Sequence, residues 1–325
     1  MSKPNETTIP ASGAATPQAP GRVLVVGSIN MDMVAHSQRL PAPGETLVGQ
    51  SFVMAPGGKG ANQAVAAARL GAQVAFVSRV GTRQHGAELL QALQAEGVDA
   101  SSIVRDPAAL PGVAVIMVAS EGGENAIVYV PGSNADLTAA DVQAAADQFQ
   151  PGAVVVAQLE VPVPAIQQAF ELARAAGART VLNAAPALAV PPALLALCDW
   201  LVLNETEAQQ LAGAEDVETA GRLLQARGAR ELLVTLGAAG VLMLDAAGQM
   251  QRLPATAVKA VDTVGAGDTF VGGLATGLAE GCSAEQAVRL GMAAAAIAVS
   301  RSGVQSAMPL RAELPAEFAS TRSLA

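Results

Sequence analysis

The sequence predicts an α/β fold: a mostly parallel central sheet covered by helices on both faces, with a small β lid. Three observations predict it. Short apolar runs and helix-patterned segments alternate along most of the 325 residues, and their short connections imply three layers of helix, sheet and helix. Aromatic residues make up 2% of the chain and hydrophobic residues 51%. Ala, Val, Leu and Ile must therefore build the core, as suits parallel strands under Ala-rich helices. Two hairpin patterns interrupt the alternation, sit badly in a parallel sheet, and predict lid segments near residues 31–55 and 111–131.

Residues 1–21 are rich in Pro, Ala, Thr and Ser and lack the apolar centre of a signal peptide, which predicts a flexible tail. An apolar run at 23–26 ends at Gly27 and reads as a buried first strand. Alternating stretches at 31–36 and 46–53, separated by the turn at 41–44, read as strands with an exposed face. The glycine-rich turn at 57–60 opens an Ala-rich helix over 61–70. A strand at 74–80 and a helix at 86–96 follow, then a second hairpin at 113–119 and 126–130 around the turn at 120–124. Strands are expected at 154–157, 180–183, 200–203, 231–235 and 241–244, with helices between them. Two long helices, 268–280 and 284–300, close one domain spanning 22–315, and a C-terminal tail covers 316–325.

The net charge of −9 argues against a nucleic-acid partner, which needs a surplus of Lys and Arg. It leaves room for a small phosphorylated ligand at a local positive site. The longest apolar run, 292–299, is too short to cross a bilayer, so a soluble cytoplasmic protein is expected. Cys198 and Cys282 lie far apart without metal-ligand spacing and read as buried small hydrophobes. His36 and His85 show no catalytic spacing.

The sharpest chemical signal is Asp-Thr-Val-Gly-Ala-Gly-Asp-Thr-Phe at 262–270. Gly265, Ala266 and Gly267 precede an expected helix start at Asp268. Small residues let N–H groups converge, and a helix N-terminus adds partial positive charge, giving an anion hole for a transferring phosphoryl group. A carboxylate beside that hole is repulsive unless it accepts a hydroxyl proton. The alternative for Asp268 is a helix N-cap.

Asn30 and Asp32 follow the first strand, where open α/β sheets bind ligands. Two residues apart on extended backbone they project to one side and suit vicinal hydroxyls; an Asx turn is the alternative. Lys59, Asn62 and Glu160 add a cation, an amide and a carboxylate at neighbouring turns, and jointly the set reads as a polyol site. Asn204 and Glu207 form Asn-x-x-Glu after a strand, either a helix cap with an acidic first turn or a carboxylate near hydrated Mg²⁺. The loop from Thr235 through Gly237 to Gly240 would let a nucleotide approach the backbone. Residues 57–60 are not a P-loop, because Gly follows the Lys, and no G-x-G-x-x-G fingerprint follows the first strand.

Gly-Ser-Ile-Asn-Met-Asp at 27–32, Gly-Gly-Lys-Gly-Ala-Asn-Gln-Ala-Val at 57–65, Gln-Leu-Glu at 158–160, Asn-Glu-Thr-Glu-Ala at 204–208 and the 262–270 string together resemble the ribokinase/pfkB family of carbohydrate kinases. The resemblance runs from about residue 23 to 309. It implies a ribokinase-like three-layer sandwich with a β lid, dimerising through the lid, and transfer of the ATP γ-phosphoryl to O5 of D-ribose. By match, Asn30, Asp32, Gly58, Lys59, Asn62 and Glu160 would hold the sugar and Asp268 would be the base. Asn204, Thr235, Gly237, Gly240 and Gly267 would line the nucleotide, and Glu207 would support Mg²⁺. A K⁺ site is implied at Asp262, Val264, Ala298, Arg301, Gly303 and Ala307.

Three positions depart from the family pattern. Ala184 replaces a usual Pro, Met292 stands where His or Asn is frequent near the adenine, and Ala307 stands where Ser is common. Other readings stay open at this point: a kinase for deoxyribose, fructose or a nucleoside, and a sugar-binding regulator without catalysis. An α/β dehydrogenase is disfavoured by the missing dinucleotide fingerprint.

Overall fold

The computed structural model describes residues 21–121 and 124–319. The predicted N-terminal tail, and the end of the C-terminal one, lie outside the described residues. The described residues begin with β1 (Arg22–Val26), β2 (Asn30–Ser37), β3 (Ser51–Gly57), α1 (Lys59–Arg69), β4 (Gln73–Gly81), α2 (Gly86–Ala95) and β5 (Ile103–Asp106). It continues through β6 (Gly112–Ala119), β7 (Asn125–Val130), α3 (Ala139–Ala144), β8 (Val154–Gln158), α4 (Val163–Ala176), β9 (Arg179–Asn183) and α5 (Pro192–Leu195). The last third holds β10 (Trp200–Asn204), α6 (Glu205–Ala212), α7 (Val217–Ala226), β11 (Glu231–Thr235), β12 (Val241–Leu244), β13 (Met250–Leu253), α8 (Ala266–Ala279) and α9 (Ala284–Ala298).

Nine strands form the central sheet in the order β13-β12-β11-β10-β9-β8-β1-β4-β5. From β11 to β5 all neighbours pair in parallel, and β12 and β13 add an antiparallel edge. The run of Val and Leu in β1 and β8 is buried on both faces, as strands inside a three-layer sandwich must be. One apolar cluster packs α4 and α7 on one face of the sheet, and a second packs α1, α2, α8 and α9 on the other.

The lid is a four-stranded sheet, β3-β2-β6-β7. The two hairpins join through a parallel β2–β6 pair, with Asn30 opposite Gly112. β3 starts five residues and ends four residues later than the alternation predicts. Pro56 and Gly57 read as strand breakers, yet β3 is an edge strand, where a Pro without an N–H is tolerated. The short edge strands β5 and β13 also escape the sequence pattern. Cys282 is only half-buried, unlike the fully buried Cys198. Among the described residues no helix is long and apolar enough to cross a membrane.

Candidate active site

β1 lies between β4 and β8, so the chain runs outward from it in both directions. The crevice at such a reversal, above the carboxyl ends of the strands, is where open α/β sheets bind ligands. Residues 28–32 leave β1 at this point, and Glu160 follows β8 beside them. Ser28 is fully buried; its hydroxyl donates to Glu160 Oε2 at 2.6 Å and accepts from the Gly60 N–H at 3.2 Å. The Lys59 N–H also donates to Glu160 Oε2, at 3.2 Å. The start of α1 is thus stitched to the ends of β1 and β8, with Gly58 as its N-cap at φ 91°.

Asn30 is buried, and its Oδ1 accepts from Asn134 Nδ2 at 2.7 Å. Asn134 also bridges both backbone groups of Ile29 and donates to the hydroxyl of Tyr129 in the lid. Tyr129 in turn donates to the Glu160 carbonyl at 3.3 Å. Sequence reasoning missed Ser28, Asn134 and Tyr129, each of which ties the lid or the first strand to the crevice.

Burial raises the Asp32 carboxyl to about 7, and the negative charges of Glu160 and Asp268 add to that rise against the pull of Lys59. Its carboxylate makes no hydrogen bond among the described residues, so its acceptor sites are open to a ligand's hydroxyls. Burial likewise raises Glu160, opposed by Lys59 and by the Ser28 hydrogen bond. For Lys59, burial works downward, but Asp268, Glu160, Glu207 and Asp32 outweigh it and hold the ammonium above its ordinary value. The Lys59 ammonium forms no ion pair among the described residues. Lys59 is therefore a charged donor amid acceptors, which is what a polyhydroxylated ligand requires.

Asp268 is not a helix N-cap. α8 begins two residues earlier than expected, at Ala266, with Gly265 as its N-cap at φ 77°. A Cβ at Gly265 would stand 2.6 Å from Val304 Cγ1, so both conformation and space demand glycine there. Asp268 sits in the first turn with its side chain free of capping. Its Oδ2 accepts from Asn62 Nδ2 at 3.0 Å and its Oδ1 from Gln63 Nε2 at 2.9 Å. The Ala266 N–H donates to the Thr263 carbonyl at 3.3 Å, which removes Ala266 from the expected donor set. The N–H groups of Gly265, Gly267 and Asp268 have no acceptor among the described residues, and the space beside Gly267 is open. Three free donors at a helix N-terminus remain an anion-binding arrangement.

Asn204 and Thr235 are register partners at the carboxyl ends of β10 and β11. Asn204 caps α6: its Oδ1 accepts from the Glu207 N–H, and Glu207 Oε2 accepts from the Asn204 N–H, each at 2.8 Å. The cap reading of Asn-x-x-Glu is correct for these atoms. Burial raises the half-buried Glu207 carboxyl, against the Asn204 N–H bond. Gly237 and Gly240 flank the turn after β11 with φ 56° and 97°. In the loop that leads into α8, Asp262 Oδ1 accepts from the Val264 N–H at 3.0 Å and Oδ2 from the Gly303 N–H at 3.2 Å. That carboxylate ties the 262–264 loop to the segment after α9. Ala307 is buried in the 3-10 turn that follows.

The family pattern for pfkB family carbohydrate kinases matches residues 21–311. The chain belongs to this family. A ribokinase from Haemophilus influenzae is 41% identical over 294 residues, covering 89% of this chain and 95% of the relative. A deoxyribokinase from Salmonella typhi is 33% identical, covering 88% and 95%. Among solved structures, an Arabidopsis thaliana ribokinase in complex with ribose and ATP is similar with a TM-score of 0.80 at 30% identity, covering 94% of this chain and 97% of that one.

In this pfkB family kinase the crevice brings Asn30, Asp32, Gly58, Lys59, Asn62, Glu160 and Asp268 to one end of the sheet. The Asn62 amide nitrogen donates to Asp268, and its Oδ1 accepts from Gln305 Nε2 at 3.0 Å. Gln63, Gln158 and Asn183, none of them singled out in the sequence, form a buried amide chain ending at Asp268. Met292 is half-buried and packs against the apolar cluster around α8.

Proposed function

We propose that this chain transfers the γ-phosphoryl group of ATP to the O5 hydroxyl of D-ribose, giving D-ribose 5-phosphate and ADP. The observation that carries the reading is the Asp268 carboxylate standing beside free N–H donors at the start of α8. Asn30, Asp32, Lys59 and Glu160 lie at the same end of the sheet. Asp268 takes the hydroxyl proton as O5 attacks the phosphorus, and the Gly265, Gly267 and Asp268 N–H groups meet the charge on the phosphoryl oxygens. Asp32 and Glu160 accept from sugar hydroxyls, and Lys59 and the Asn30 amide nitrogen donate. Asn204, Thr235, Gly237 and Gly240 face the nucleotide.

Among the described residues no cluster of three or more His, Cys, Asp or Glu stands ready for a metal. That fits a Mg²⁺ that keeps its waters and takes its other ligands from phosphate. Glu207, half-buried with one oxygen uncommitted to the cap, is the carboxylate to support it. Bound Mg²⁺ neutralises phosphate charge. For K⁺, Asp262 draws together the loops bearing Val264 and Gly303. Their carbonyls, with those of Ala298 and Arg301, make a donor set suited to a monovalent cation, while Ala307 adds no side-chain oxygen. The bound cation would hold the loop that leads into α8.

The lid closes one domain over residues 22–315, and its second face supports a homodimer. Phe52, Met54, Val115 and Val128 are exposed and lie on the face opposite Asp32 by strand register. Free Cys198 and Cys282 accord with a cytoplasmic setting. Deoxyribose is the second reading, favoured by the similarity to the deoxyribokinase. A coupled ADP-release assay over pentoses, hexoses and nucleosides, with and without K⁺, tests both; highest turnover on D-ribose supports the first reading, and no turnover on any sugar overturns the enzyme.

A further inference from the structure

We propose that Gln63 is a positioning residue for the base: a chain of buried amides, anchored on the backbone carbonyl of Val202, fixes the Asp268 carboxylate for proton acceptance. This rests on the reading of Asp268 as the general base.

A side-chain amide has nearly the same shape either way round, so its partners must set its direction. Here they do. The Val202 carbonyl can only accept, so Asn183 must turn its Nδ2 toward it, at 3.2 Å. The Asn183 Oδ1 then faces Gln63, which presents Nε2 to it at 3.0 Å. That same nitrogen lies 2.9 Å from Asp268 Oδ1. On its other side, Gln63 Oε1 accepts from Gln158 Nε2 at 2.6 Å. Turning Gln63 over would set oxygen against two acceptors and an amino group against another, losing every bond in a site closed to water.

Gln63 and Gln158 are 1% and 0% exposed, and both polar atoms of Gln63 are taken up by Asn183, Asp268 and Gln158. Gln158 is kept at a cost. Its Oε1 has no hydrogen-bond partner and faces Gly27, where a Cβ would stand 2.2 Å away. An apolar side chain of the same length would avoid that orphaned acceptor. What the amide supplies is the one bond to Gln63 Oε1, which reinforces the direction that Asn183 and Asp268 give to Nε2. With Asn62 holding Oδ2, consecutive residues of α1 grip one oxygen each and set the plane of the carboxylate, while lone pairs remain for the sugar hydroxyl.

Steady-state kinetics with D-ribose and ATP test this in Gln63→Met, which keeps length and loses both donors. The expected result is a kcat lower by about 10²-fold with the ribose KM unchanged. In an Asp268→Asn background the same substitution should lower residual turnover no further, because Gln63 acts through Asp268. Parental kcat in folded Gln63→Met, a rise in KM alone, or an equal loss in the Asp268→Asn background overturns the inference. Should Gln63→Met fail to fold, Gln158→Met removes the one bond to Gln63 Oε1 and leaves its donors in place; a lower kcat at constant KM supports the proposal and parental kcat overturns it. Parental turnover in Asp268→Asn alone removes the base reading, and this inference with it. Loss there beside parental kcat in Gln63→Met removes this inference only.

Discussion

Asn62 Nδ2 stands 3.0 Å from Asp268 Oδ2 across a separation of 206 residues. The contact joins the first turns of α1 and α8, and it needs those helices to approach unusually closely. Gly272 provides the approach: a Cβ there would lie 2.5 Å from the Ala66 Cβ and 3.0 Å from the Ala67 nitrogen.

Gly272→Val should therefore push α8 off α1. Valine loses less backbone entropy than glycine in a helix, but the clash is with the rigid Ala66 Cβ and the α1 backbone and wins. We expect a loss of about 1–3 kcal/mol in stability and a kcat that falls more than the ribose KM rises. Urea unfolding together with steady-state kinetics checks both, and a variant as stable as the parent contradicts the packing argument.

Asp32 carries a pH signature. Its carboxyl is raised to about 7 by burial and by Glu160 and Asp268, so between about pH 4 and 7 the folded chain holds a proton that the unfolded chain has released. Stability contributed by this group is full below that window and is lost as pH rises through it. Asp32→Asn should thus gain on the parent from about pH 4 to 7 and keep a constant advantage above, on the order of 1–4 kcal/mol. Ribose KM should rise at the same time. Thermal melts across pH 4–9 give the comparison; a pH-independent difference contradicts it.

Glu207 serves as a cap and as the proposed Mg²⁺ support. Gln at this position keeps the capping box and removes the charge. Glu207→Gln should hold its melting temperature while the Mg²⁺ concentration for half-maximal rate rises several-fold. Titration of Mg²⁺ at fixed ATP measures it, and an unchanged Mg²⁺ dependence removes Glu207 from that role.

The lid's outer face is 60% exposed at Phe52 and 62% at Val128, and large apolar surface of this kind marks an interface. Phe52→Asp with Val128→Asp should shift a dimer to monomer in light scattering after gel filtration, with helix content unchanged. A parent that is already monomeric contradicts the lid dimer.

The parts legible in sequence are the local ones. The Val and Leu runs of β1 and β8, and the strings around Asn30, Lys59 and Asp268, carry their meaning within ten residues. Edge elements are less legible: the end of β3 hides behind Pro56, because whether a Pro breaks a strand depends on a neighbour that the sequence does not reveal. The start of α8 was misplaced because Gly265 and Gly267 lower helix propensity, while the left-handed Gly265 is in fact the cap. Gln63 and Gln158 stand inside the strings at 57–65 and 158–160, but nothing local to them, to Asn183 or to Asn134 signals the roles they take. Their roles come from partners as far as 205 residues away, and only the folded chain brings them together.

The most direct test of the account is the turnover of Asp268→Asn with D-ribose and ATP, with ribose binding measured calorimetrically on the same preparation. The account predicts a kcat lower by at least about 10²–10³-fold with ribose affinity retained; turnover equal to the parent's contradicts it.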